Sequence, residues 1–120
     1  MNRYMMLFRG TRALTESELE QRAIAIQNWV AMVRQKGINL DPRILDQVVG
    51  TYSAKDGAVA SEAASKDPDL AAVVSFEAAD DKAAEAIAEA HPSLHYGVIV
   101  ELRRWQSPAP AVARTEAVRA

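Results

Sequence analysis

The chain has no cysteine, which excludes disulfides, thiolate metal sites and thiol catalysis. Histidine is nearly as scarce. The two present, His91 and His95, are four residues apart with Pro92 between them. A proline disfavours the helical geometry that would stack both rings on one face, and no acidic residue stands in a metalloprotease spacing. No metal site and no cofactor are expected. The five glycines, at 10, 37, 50, 57 and 97, form no phosphate-cradling loop. No apolar run approaches the ~20 residues that a membrane helix needs. The opening Tyr4-Met5-Met6-Leu7-Phe8 is too short for a signal-peptide core. The expectation is a cytoplasmic protein without a membrane partner. A formal net charge of −2 gives no general attraction for nucleic acid, and the aromatic and basic strand motif of RNA-recognition domains is missing.

What is present is an ordinary globular composition, 49% hydrophobic and 25% charged over 120 residues, enough for one domain. Residues 3–9 read as a buried strand, because every position from Tyr4 to Phe8 is apolar and Gly10 punctuates the end. Leu14-Thr15-Glu16-Ser17-Glu18-Leu19 reads as a helix start: Thr15 and Glu18 make a capping box, and Leu14 and Leu19 fall where a hydrophobic staple pairs them. Leu19, Ala23, Ile26, Val30 and Val33 then lay an apolar stripe with Trp29 on its flank. Gly37 and Ile38 end the helix in a Schellman arrangement, giving a helix over 15–36. Asp41-Pro42 reads as a turn and Ile44–Val49 as a strand. Gly50 or Asp56-Gly57 can reverse the chain before a short strand near Ala58–Ala60. Ser61–Asp69 reads as a loop and Leu70–Phe76 as a strand with Ala72, Val74 and Phe76 on one side. Asp80 or Asp81 caps an alanine-rich helix to about Ala90, its core face being Ala83, Ala84, Ile87 and Ala90.

The last strand has the clearest alternation. Val98, Val100 and Leu102 share one face; Ile99, Glu101, Arg103 and Trp105 share the other. Strand, helix, strands, helix and strand in this order make an α+β protomer, the ferredoxin-like split βαβ unit, with two helices on one face of a mainly antiparallel sheet. One layer of helices leaves the other sheet face bare. Met5 and Leu7 (or Tyr4, Met6 and Phe8) would lie there with Ile99 unless a second copy covered them, so a homodimer through the sheet faces is expected. This domain spans 1–105; residues 106–120, with prolines at 108 and 110, read as a flexible tail.

The opening Tyr4-Met5-Met6-Leu7-Phe8-Arg9-Gly10, the long helix carrying Trp29, Lys36-Gly37, and the run from His91-Pro92-Ser93-Leu94-His95-Tyr96-Gly97 to Arg103 resemble the YCII-related proteins. More closely they resemble the branch described by a DGPF motif. Asp56-Gly57 stands where that motif begins, followed here by Ala58-Val59 rather than Pro-Phe. The histidine that YCII proteins carry on the first helix has no counterpart. The resemblance implies a dimeric α/β barrel built from ferredoxin-like protomers. It implies little about activity: most members have no assigned function, and one YCII-like protein is a dehydrochlorinase.

Two functional readings follow. One is a binding module with a small organic ligand in a cleft next to the sheet. The alternative is a small lyase or dehydrochlorinase-like enzyme with His91, and with it His95, as acid/base. The other reading of His91 is a partly positive ring at a helix C-terminus. Arg9 and Arg103 are candidate anion holders, and an Arg with a His and a Tyr around an apolar cleft could hold a small carboxylate or phenol. Trp29, Tyr52 and Tyr96 complete the candidate ligand-binding set, Trp29 and Tyr52 reading equally well as core or rim aromatics.

Overall fold

A computed structural model describes residues 1–108; most of the predicted tail, residues 109–120, lies outside them. The elements are β1 (Asn2–Gly10), α1 (Glu16–Gln35), β2 (Asp41–Ile44), β3 (Thr51–Lys55), β4 (Ala58–Glu62), β5 (Leu70–Ala78), α2 (Asp81–Glu89), a short 3-10 helix (Pro92–Tyr96) and β6 (Val98–Arg104). Four strands form an antiparallel sheet in the order β2-β5-β1-β6, and β3 and β4 form a separate hairpin. This is the ferredoxin-like α+β arrangement, with the hairpin inserted between the second and third strands of the unit.

The start of α1 carries the full capping box. The Glu18 amide donates to Thr15 Oγ1 and the Thr15 amide to Glu18 Oε1, both at 3.1 Å. At the other end Gly37 takes a φ of 81°. Its amide donates to the Arg34 carbonyl at 2.9 Å, and the Ile38 amide to the Val33 carbonyl at 3.4 Å. These are the two bonds of a Schellman motif. Thr15→Ala is expected to lower unfolding stability by about 1 kcal/mol. An unchanged urea midpoint would remove the cap from the account.

Between these ends the buried face is turned relative to the predicted stripe. Trp29 and Val33 are buried, Arg22, Ala25, Ile26 and Val30 are half-buried, and Leu19 and Ala23 are exposed. Trp29 and Val33 are one helical turn apart. Burying the indole removes a large apolar surface from water, and its ring packs on His91 with centroids 4.5 Å apart.

β2 is a second correction. The strand lies on Asp41–Ile44 rather than Ile44–Val49, and Pro42 sits inside it, opposite Val74. Proline has no amide to give to a ladder, but β2 is an edge strand whose outer side needs no donor. Of the two candidate reversals, Asp56-Gly57 is used. Both residues have positive φ, 52° and 80°, as a two-residue hairpin turn requires. In α2, capped by Asp80, the buried residues are Ala84, Ile87 and Ala88. Ala90 is exposed, because the helix already ends at Glu89 and Ala90 is its C-cap.

Residues directly opposite one another in an antiparallel pair share a face. Tyr4, Met6 and Phe8 pair with Phe76, Val74 and Ala72, and Met6 and Phe8 also pair with Leu102 and Val100. These side chains form the core under the helices. The buried Tyr4 ring keeps its hydroxyl satisfied by donating to Asp81 Oδ1 at 2.7 Å. The reverse face carries Met5, Leu7, Val73 and Ile99 as an apolar centre, Ile99 being 57% exposed. An ion-pair chain runs from Arg9 along the β6 side of that strip, with Glu101 opposite Leu7 and Arg103 opposite Met5: Arg9 reaches Asp67 at 2.7 Å and Glu101 at 2.6 Å, and Arg103 reaches Glu101 at 3.1 Å.

Candidate functional site

Pro92 stops α2, and the chain leaves it through His91 in an extended conformation (φ −68°, ψ 126°). His91 caps the 3-10 helix that follows: its Nδ1 accepts the Ser93 amide at 3.1 Å. The ring is only 5% exposed. It packs between Trp29, with centroids 4.5 Å apart, and Phe8, at 4.7 Å. Burial, helped by the positive charge of Arg22, lowers the imidazole pKa from 6.5 to about 4. Desolvation disfavours the charged ring, so His91 is neutral near pH 7. This corrects the partly positive ring expected at a helix terminus.

With the Nδ1 lone pair engaged by an amide, the proton of the neutral ring resides on Nε2. Among the described residues Nε2 has no hydrogen-bond partner, and it is not sealed from solvent. His91 lines a cavity of about 360 Å³ between the sheet and α1. Phe8, Ile26, Ile44, Ala72 and Val98 give the cavity an apolar wall, and Arg22, Arg43, His91 and Ser93 are the polar and charged residues at its lining. Its size is that of a small-molecule site. As a neutral N–H, His91 can hold an oxygen atom. Serving as a base would first require its tautomer to switch and the Ser93 bond to break.

The other predicted residues are dispersed. His95 and Tyr96 lie on the 3-10 helix, exposed and half-buried, and neither lines the cavity. Trp29 is buried behind His91, and its Nε1 has no partner among the described residues. Tyr52 lies on the hairpin, 67% exposed. Arg9 and Arg103 belong to the reverse face, tied into the Asp67–Glu101 chain. Arg9 is held more basic than usual by Asp67 and then Glu101, and each carboxylate is lowered chiefly by Arg9. The residue that sequence reasoning missed is Arg22. Its signal was its position two turns before Trp29, a cation inside the stripe that becomes the buried face.

Compared with known proteins, the chain matches no family model and no curated sequence. Among the described residues, no three His, Asp or Glu side chains gather as a metal site, and no helix is long and apolar enough to cross a membrane.

Proposed function

We propose that this is a small-molecule-binding protein of the YCII-related kind, acting as a homodimer through its sheet faces, with the ligand in the cavity between sheet and α1. The observation that carries the reading is the apolar cavity with the His91 N–H at its wall. Binding takes precedence over a lyase-type reaction because a proton carrier needs a ring nitrogen with a free lone pair, and that of His91 is engaged by Ser93. The second copy is supported by the reverse face, where Met5, Leu7, Val73 and Ile99 form an apolar strip with the charged Glu101 and Arg103 beside it on β6. Two such faces packed together form the dimeric barrel that the sequence resemblance implies.

Thermal-shift measurements with small aromatic and aliphatic compounds test the cavity. A ligand at 100 times its dissociation constant should add about 2.7 kcal/mol of stability. Ala72→Leu, which fills the cavity from the β5 side, should abolish that gain. Ligand stabilisation that persists in Ala72→Leu would place the site elsewhere.

A further inference from the structure

The cavity reading can be taken one step further, to the chemical class of its occupant, by counting charge around the wall. We propose that the ligand is a small organic carboxylate, its oxygens held between the Arg22 guanidinium and the His91 Nε2–H and its apolar body lying against Phe8, Ile26 and Val98. This rests on the binding function proposed above. The wall contains two arginines and no acidic residue. Arg43, one of the two, is neutralised by Asp41 on its own strand. Arg22 is half-buried and has no ion pair among the described residues. A guanidinium held at an apolar wall without a counter-ion suits a ligand that supplies one, and its planar fork matches the two oxygens of a carboxylate.

His91 narrows the class in the same direction. Its Nδ1 is fixed as an acceptor by Ser93, so the nitrogen left for a ligand is a donor, and a carboxylate oxygen accepts. One free cation and one neutral donor balance a single negative charge. A phosphate dianion would need a second cation, and Arg43 is already engaged. The apolar remainder of the wall selects a hydrocarbon or aromatic body over a sugar or a polar amino acid.

The test is isothermal titration of the full-length protein with phenylacetate and naphthylacetate and with their neutral primary amides. The acids should bind roughly tenfold to a hundredfold more tightly than the amides, the size of one charge-assisted hydrogen-bonding interaction. Arg22→Gln, a change on a half-exposed helix face, should erase most of that preference by lowering acid affinity far more than amide affinity. His91→Asn keeps a side-chain acceptor for the Ser93 amide but removes the Nε2 donor; acid affinity should fall severalfold. Amides binding as well as acids would overturn the carboxylate and leave the cavity function standing. Acid affinity unaltered by Arg22→Gln would overturn it equally. Binding of neither series would remove the cavity function and the carboxylate together.

Discussion

Leu7→Arg is expected to raise the dissociation constant of the proposed dimer a thousandfold or more, leaving a folded monomer at micromolar concentration. Leu7 lies on β1, which has β5 on one side and β6 on the other. Any packing of two sheet faces must therefore cover it. In a twofold dimer the substitution introduces two cations, one from each copy, into one desolvated region. Like charges brought together at an interface cost several kcal/mol, and about 4 kcal/mol corresponds to a thousandfold in affinity. The protomer itself should tolerate the change. Leu7 stands directly opposite Glu101 on β6, which Arg9 and Arg103 already pair, so the new guanidinium depends on water, to which the face is open once the copies separate. Sedimentation velocity reads the outcome, and far-ultraviolet circular dichroism confirms that the fold persists. A wild-type protein that already sediments as a monomer at tens of micromolar would end the dimer proposal.

The second large effect is on stability against pH. The His91 pKa is near 4 in the folded chain and 6.5 in the unfolded one. Between these values the unfolded state binds a proton that the folded state refuses, so stability rises with pH across this window. The contribution is fully present above pH 6.5 and is lost as pH falls toward 4, by about 3 kcal/mol in total at 1.36 kcal/mol per pH unit. The carboxylates are separable from this. Asp67 and Glu101 are lowered chiefly by Arg9, Glu18 by Arg12 and Asp81 by Arg104. Each contributes stability that is fully present above the ordinary carboxylate range and is lost as pH falls from that range through its own depressed value, so most of the interval between pH 7 and pH 4 lies above them. Urea unfolding from pH 7 to pH 4 should show a rise in stability with pH that His91→Asn largely removes. A variant with the wild-type slope over that interval would mean that His91 is not neutral and buried.

The two predictions concern opposite faces of one sheet, and the alternation along β1 separates them. Tyr4, Met6 and Phe8 build the core and, through Phe8, the wall against His91. Met5 and Leu7 point away from it, onto the face where a second copy is proposed to pack. A change at Leu7 should therefore leave the cavity unaltered, and a change at Ala72 should leave the dimer intact.

Much of this molecule was legible in the sequence where the deciding interactions are local. The capping box at Thr15 and Glu18, the Schellman turn at Gly37 and the Asp56-Gly57 reversal each depend on hydrogen bonds or φ values within a few residues. The two faces of β6 follow from a period of two, and the ferredoxin-like order follows from the succession of these elements. What only the tertiary structure decided are properties that a residue acquires from distant neighbours. Pro42 is acceptable in a strand because β2 proves to be an edge. Trp29, rather than Leu19 and Ala23, turns inward because the ring it packs against, His91, comes from the far end of the chain. His91 is neutral, and a hydrogen-bond donor at its free nitrogen, because burial removes its water and the Ser93 amide takes its other lone pair. Arg22 enters the site only when α1 is laid over the sheet. Period and capping are set by the backbone within one or two turns, whereas desolvation and charge pairing depend on which elements meet in space.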